Sequence, residues 1–187
     1  MSWHQPEPAV SLELIEMLGV TSNTAVIDVG GGASMLVDAL VGLGFNDITV
    51  LDVSAIALEA ARQRSGDPLA VNWLQGDVLS WQPKHRYGLW HDRAVLHFLT
   101  EERDRNTYLD TLRRAIEPGG AVVLGTFAED GPEYCSGLPV VRFSSGALSE
   151  ALAPDFEVVA TRNEVHITPT NARQSFTWVA ARSILTA

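Results

Sequence analysis

The sequence is poor in cysteine and in long apolar runs. The single cysteine, Cys135, cannot form an intrachain disulfide in this chain of 187 residues, so no oxidising compartment is required. No stretch approaches the roughly 18 consecutive apolar residues that a membrane-spanning helix needs, and residues 1–6 lack the basic and apolar regions of a secretory signal. These absences predict a cytoplasmic protein with no membrane partner.

Basic residues are also scarce. The chain carries 13 Lys and Arg against 23 Asp and Glu, a formal net charge of −10. Nucleic-acid binding concentrates Lys and Arg on one face to neutralise phosphates, so this balance predicts no nucleic-acid partner. The range 103–114 does hold four arginines, but the neighbouring Glu101 and Glu102 favour a solvated helix face.

What remains is an ordinary globular composition, with 46% hydrophobic and 19% charged residues. The length suits one domain over residues 1–187 that buries its own core. Leu12, Ile15 and Leu18 recur at helical spacing and predict an N-terminal helical segment within residues 1–20. Because paired metal-ligand spacing such as Cys-x-x-Cys is missing, no metal site is predicted.

Short apolar runs alternate with helical periodicity through most of the chain. Strands are predicted at 24–29, 47–51, 71–74, 87–91 and 121–127, and helices at 34–43, 54–66, 101–116 and 144–152. Two strand-like runs, 156–167 and 175–183, flank a turn at 168–171. The pattern predicts an α/β fold: a doubly wound, mostly parallel seven-stranded sheet with a C-terminal antiparallel hairpin.

Ligands of such sheets lie beyond the carboxyl ends of the strands, where strand order reverses. Gly30-Gly31-Gly32 directly follows the first strand, and the missing side chains let a ligand approach the backbone amides. Asp28 places a carboxylate beside that approach. A glycine turn also serves as a plain strand-to-helix connection, so it indicates a site only together with its surroundings.

Two further acids supply those surroundings. Asp52 ends the second strand, where a carboxylate can accept both ribose hydroxyls of an adenosine. Asp77 follows the third strand and can accept a hydrogen bond from an adenine amino group. With Asp28, these acids predict one nucleoside pocket.

Five segments resemble the class I S-adenosylmethionine-dependent methyltransferases, which have a Rossmann-like fold, and the similarity covers nearly the whole chain. They are Val26 to Ser34, Leu51-Asp52-Val53-Ser54, Gln75-Gly76-Asp77-Val78, Asp92, and Glu117-Pro118-Gly119-Gly120. The resemblance implies S-adenosylmethionine as cofactor and S-adenosylhomocysteine as product. It implies that the cofactor meets Asp28, Gly30, Gly31, Gly32, Asp52, Val53, Asp77, Val78 and Asp92.

The sequence is more specifically similar to small bacterial methyltransferases of unassigned substrate. These share Ser-Trp-x-Gln-Pro near the start, Trp-His-Asp-Arg-Ala, Cys-Ser-Gly-Leu-Pro and a final His-x-Thr-Pro. Ser34 replaces the family's third glycine, but its small side chain can bond locally, so we expect binding to survive. Few residues precede Trp3, where that group has a longer cover, which predicts an open pocket.

Two alternatives share the glycine turn and the acid after the second strand. An NAD(P)-dependent oxidoreductase normally continues with further parallel strands and a substrate domain, whereas this chain closes with a hairpin. A non-enzymatic nucleoside-binding module is the other alternative. The methyltransferase interpretation accounts for more of the sequence.

The catalytic candidates follow the fourth strand. His91 or Asp92 could orient or deprotonate the acceptor, and Arg93 and His97 lie close by in sequence. Asp92 could equally contact only the methionine amino group of the cofactor, and His97 could simply pack in a helix. Methyl transfer from a sulfonium is an in-line displacement, so few residues are obligatory.

Residues 129–139 follow the fifth strand and are predicted to overhang the pocket as an acceptor loop. The predicted acceptor-side residues are Trp3, His97, Tyr134, Cys135 and His166. Cys135 is either a soft ligand for a thiol or metalloid substrate, with His166, or a small buried hydrophobe. A small-molecule acceptor is favoured over a protein lysine, and no oligomeric state is predicted.

Overall fold

A computed structural model describes residues 8–186 other than 169 and 170. Its helices are α1 (Ala9–Met17), α2 (Leu36–Gly42), α3 (Ala55–Ser65), α4 (Glu102–Ala115) and α5 (Ser145–Leu152). Its strands are β1 (Val26–Val29), β2 (Ile48–Asp52), β3 (Val71–Gln75), β4 (Tyr87–Arg93), β5 (Ile116–Phe127), β6 (Tyr134–Cys135), β7 (Leu138–Pro139), β8 (Phe156–Ile167) and β9 (Arg173–Ser183).

Seven strands form one sheet in the order β3-β2-β1-β4-β5-β9-β8. Strands β1 to β5 are mutually parallel, and β9 runs antiparallel between β5 and β8. This arrangement confirms the predicted doubly wound sheet and its closing antiparallel hairpin. Strand order reverses between the neighbouring strands β1 and β4, so the crevice for a ligand is expected beyond their carboxyl ends.

The sheet is covered on both faces by apolar side chains. One face packs under α1 and α2 around Leu14, Leu40 and Trp178, all fully buried. The other packs under α4 and α5 around Trp90 and Leu112, also fully buried. Burying one such side chain is worth about 1.5–3 kcal/mol. Because both faces of the sheet are covered, a ligand site is expected at the ends of the strands.

The middle of the chain departs from the sequence-based boundaries in two places. Strand β5 begins at Ile116, the last residue of the predicted helix, because Ile116 pairs with Tyr87 before the register between β4 and β5 shifts. Strand β4 extends two residues beyond the predicted end at His91, to Arg93. Asp92 therefore lies within the strand instead of after it, and this changes where its side chain sits.

Candidate functional site

A cavity of about 750 Å³ opens beyond the carboxyl ends of β1 to β4. Its volume lies within the range of small-molecule pockets. The turns after β1, β2 and β3 line one half: Gly30, Gly31, Asp52, Val53, Asp77 and Val78. The end of β4, the chain after it and the β6–β7 hairpin line the other half: Arg93, Ala94, Val95, Phe98, Leu99, Cys135 and Leu138.

The glycine turn is closely packed by its neighbours. Gly30 adopts a left-handed conformation (φ 71°), and a Cβ there would collide with the Val95 side chain. A Cβ on Gly31 would collide with the Asp28 carboxylate, and one on Gly32 would lie 2.8 Å from Asp52 Oδ2. Just after the turn, Ser34 Oγ accepts a hydrogen bond from the Leu36 amide at 3.0 Å. The turn thus tolerates no side chain at Gly30 or Gly31.

Asp52 ties the second strand to this turn. Its Oδ2 accepts a hydrogen bond from the Gly32 amide at 3.0 Å, and its Oδ1 accepts one from the Ser54 amide at 2.8 Å. Ser54 then caps α3 through the Ala57 amide. A carboxylate has about four lone-pair sites, so Asp52 retains acceptor capacity on the cavity side.

The third acid lies further along the same half. Asp77 is exposed, and its Oδ1 accepts a hydrogen bond from the Leu79 amide at 2.9 Å. The next residue, Val78, is buried, and Val53 after β2 is 65% exposed. This arrangement offers two apolar side chains and a carboxylate, as a planar heteroaromatic ring with an amino group would require.

His91 lies behind Asp28 and not in the cavity. Its Nδ1 is 2.7 Å from Asp28 Oδ1, and its Nε2 is 2.9 Å from Ser11 Oγ on α1. Ser11, Asp28 and His91 are each 1% exposed. Ser11 and Asp28 line the cavity, whereas His91 joins them from behind. Among the described residues, no donor contacts Asp28 Oδ2, which is buried beside the glycine turn.

Asp92 is likewise absent from the described lining of the cavity and serves the chain that follows it. Its Oδ1 accepts a hydrogen bond from the Val95 amide (2.7 Å), and its Oδ2 accepts bonds from the Leu96 amide (3.0 Å) and the Tyr108 hydroxyl (2.6 Å). Burial raises the pKa of Asp92 to about 6, against the lowering effect of these bonds. Asp92 therefore shapes the cavity wall at Val95 and is not itself among the lining residues.

The predicted acceptor loop contains a two-residue hairpin. Ser136 and Gly137 connect β6 to β7 with left-handed backbones (φ 52° and 83°), as a type I′ turn requires. The Val140 amide donates to Glu133 O at the base, and the Val141 amide donates to His97 O. The hairpin is thus anchored over the half of the cavity that lies beyond β4.

The other predicted acceptor-side residues are placed differently from one another. Cys135 lines the cavity, and burial raises the pKa of its thiol. Tyr134 is exposed on the hairpin, and His97 is buried beside Phe127, where burial and the Arg93 charge lower its pKa to about 3. His166 is buried in β8, opposite Gln174 and away from the cavity. Trp3 lies outside the described residues.

The lining positions that were not predicted as site residues include Ser11, Phe98 and Leu138. Nothing in the sequence around Ser11 distinguishes it from the rest of an amphipathic helix. Leu138, 58% exposed, follows the Ser-Gly turn, which is a recognisable hairpin signal. That signal predicts the hairpin whose second strand carries Leu138, but it does not predict that Leu138 lines the cavity.

In the range 8–186, apart from 169 and 170, no helix is long and apolar enough to cross a membrane. Over the same residues, no group of three or more His, Cys, Asp or Glu side chains is arranged to hold a metal ion.

A family model described as a methyltransferase domain matches residues 26–120. This range contains the glycine turn, Asp52, Asp77 and the end of β4. Nodulation protein S of Rhizobium tropici is 28% identical over 79 residues, which make up 42% of this chain and 33% of that protein. The match therefore spans only about a third of the curated relative.

Solved structures show the same fold over nearly the whole chain. The 1,6-didemethyltoxoflavin-N1-methyltransferase of Burkholderia thailandensis, with bound 1,6-didemethyltoxoflavin and S-adenosylhomocysteine, superposes with a TM-score of 0.73 at 21% identity, covering 94% of this chain and 77% of that one. The N-methyltransferase NodS of Bradyrhizobium japonicum, in complex with S-adenosyl-L-homocysteine, superposes with a TM-score of 0.75 at 17% identity, covering 96% and 89%.

Proposed function

Because this chain belongs to the methyltransferase domain family, we propose that it transfers the methyl group of S-adenosylmethionine to a small-molecule acceptor under the β6–β7 hairpin. The chain is an S-adenosylmethionine-dependent methyltransferase. The observation that carries the finer proposal is the division of the cavity into a half rich in acids and glycines and a half that is mainly apolar and overhung by the hairpin.

The residues of the first half suit the cofactor. Asp28 Oδ2 is a buried acceptor beside Gly31, and such a group is costly to leave unpaired. The methionine ammonium of the cofactor would satisfy it. We assign the ribose hydroxyls to Asp52, and the adenine to Asp77, Val53 and Val78. Gly30 and Gly31 would admit the methionine portion, whereas Gly32 does not line the cavity and donates its amide to Asp52.

The bound cofactor supplies an electrophilic methyl group on a sulfonium. The chain has to align an acceptor atom opposite that group and keep water out. The side chains of Phe98 and Leu99 provide an apolar wall on the β4 side of the cavity, whereas Val95 lies against Gly30 of the glycine turn. The side-chain polar atoms of His91 and Asp92 form hydrogen bonds within the protein. We therefore propose that both residues position the site and do not remove a proton from the acceptor.

An apolar, covered acceptor half favours a small molecule over a protein lysine. A lysine side chain has to enter from a partner's surface, and a hairpin anchored at both ends lies over that route. Free small molecules enter and then lose water to the apolar wall. The cytoplasmic location predicted from the sequence also remains a proposal.

The proposal is tested by following S-adenosylhomocysteine release in two parallel screens. One contains small thiols, amines, phenols and carboxylic acids, and the other contains lysine-rich proteins and peptides. We expect turnover in the first screen alone. A variant lacking residues 134–139, bridged by two glycines, serves as the matched control because it removes the hairpin. If only proteins are methylated, and this variant still methylates them, the small-molecule assignment is contradicted.

A further inference from the structure

One basic residue lines the acceptor half of the cavity. Among the described residues that line the cavity, Arg93 alone is basic, and the acids Asp28, Asp52 and Asp77 all belong to the other half. The other residues that line this half are mainly apolar and include Phe98, Leu99 and Leu138. A cation set into an apolar wall is a strong selector of ligand charge.

The guanidinium is held in one place by the sheet. Its central carbon lies 4.6 Å from the centre of the Phe176 ring on β9, within range for a cation–π contact. Desolvation by burial lowers the pKa of Arg93, and the nearby Glu164 carboxylate acts in the opposite direction. Since a guanidinium has five N–H donors, an internal carboxylate does not exhaust its capacity to bind a ligand.

The direction of the side chain separates Arg93 from the methionine site. Arg93 pairs in register with Gly125 of β5 and stacks on Phe176 of β9. Both strands lie on the side of β4 that faces away from β1 and its glycine turn. Its charge also acts on the Cys135 thiol, which belongs to the hairpin. Arg93 therefore lies nearer the acceptor half of the cavity than the cofactor half.

We propose that the methyl acceptor is a small molecule carrying an anionic group on an apolar body, and that Arg93 binds the anionic group. This inference rests on the proposed function. A guanidinium binds carboxylate or phosphate through paired, charge-assisted hydrogen bonds. A chain of net charge −10 repels anions in general, so a local cation is needed to hold one.

The test uses calorimetry on the full chain saturated with S-adenosylhomocysteine, so that the cofactor half is filled. Benzoate, phenyl phosphate and benzamide are titrated as probes of equal ring size. We expect benzoate or phenyl phosphate to bind at least about tenfold more tightly than benzamide. Which anion binds better distinguishes a carboxylate acceptor from a phosphorylated one. Equal binding of all three probes would overturn the inference.

Variants locate the effect. Arg93→Gln should reduce the preference for the anion to less than about twofold, and Arg93→Lys should retain part of it because it retains the charge. Arg142→Gln is the matched control, since Arg142 bonds Gly131 O and Glu133 at the hairpin base and does not line the cavity. A preference that persists in Arg93→Gln would contradict the assignment.

Measuring the affinity for S-adenosylhomocysteine distinguishes failure of this inference from failure of the proposed function. If the wild-type chain fails to bind S-adenosylhomocysteine, the proposed function itself fails. If it binds but Arg93→Gln loses that affinity by tenfold or more, by about the energy of one charged hydrogen bond, Arg93 serves the cofactor carboxylate and the acceptor assignment fails. Should Arg93→Gln not fold, the probe comparison on the wild-type chain and on Arg93→Lys decides.

Discussion

His91 Nδ1 lies 2.7 Å from Asp28 Oδ1, in a pair that is almost completely buried. The two residues are register partners on β1 and β4, so their side chains emerge on the same face of the sheet. Ser11 of α1 completes the chain of contacts at His91 Nε2. The buried carboxylate that faces the glycine turn is thereby held in place by the imidazole.

We predict that His91→Phe destabilises the fold by about 2 to 4 kcal/mol, because it leaves the buried Asp28 carboxylate without its partner. Affinity for S-adenosylhomocysteine should fall as well. Ser11→Ala, which removes only a neutral hydroxyl, should cost about 1 kcal/mol. Urea unfolding and calorimetry measure the two effects, and a His91→Phe protein as stable as the wild type would refute the positioning role.

Asp52→Ala should weaken S-adenosylhomocysteine binding by about 30-fold or more, since two charge-assisted hydrogen bonds to the ribose are lost. Asp38→Ala is a suitable control, because Asp38 pairs with Arg64 outside the cavity. Calorimetry on both variants should show the loss for Asp52 only. Equal affinities would remove Asp52 from the cofactor site.

Gly30→Val should abolish cofactor binding and reduce stability, because the residue has a φ of 71° and its side chain would collide with Val95. Gly42→Ala offers a matched comparison: a Cβ there meets nothing within 4 Å. Its thermal stability should equal or slightly exceed that of the wild type. Retained binding in Gly30→Val would show that the turn does not approach the ligand.

Asp92 gives a prediction about pH. Its pKa is raised from 3.8 to about 6 in the folded protein, so between these values the folded state binds more protons than the unfolded state. The contribution of Asp92 to stability is therefore greatest at low pH, and it declines as pH rises from about 4 to 6. Ionisation should cost about 1 to 3 kcal/mol above that window.

The comparison is between the wild type and Asp92→Asn, with unfolding free energies measured from pH 3.5 to pH 7.5. Up to about pH 6, the unfolding free energy of the wild type should fall by that amount relative to that of the variant. At higher pH the difference between the two should stay constant. A difference independent of pH would show that the Asp92 pKa is not raised.

The overall fold could be predicted from the sequence, because each strand–helix unit carries its own periodicity and ends at a glycine or an acid. Asp52 and Asp77 could be placed at the cavity for the same reason, since a residue at a strand end has little choice of direction. Neither the fold nor the positions of Asp52 and Asp77 depend on predicting the register of the parallel strands.

The direction of His91 and Asp92 could not be predicted in that way. Strand β4 is buried on both faces, so its sequence does not alternate between apolar and polar residues and does not show which face a side chain occupies. The two-residue extension of β4 also decides that Asp92 bonds Tyr108 of α4. Such contacts depend on tertiary packing, which no local pattern records.

Calorimetric titration of the full chain with S-adenosylhomocysteine, with NADH titrated in parallel, shows whether this cavity binds S-adenosylmethionine. We expect saturable one-to-one binding of S-adenosylhomocysteine and no heat from NADH, with the affinity weakened in Asp52→Ala. Binding of NADH alone, or of neither ligand to a folded protein, would contradict the assignment of this cavity to S-adenosylmethionine.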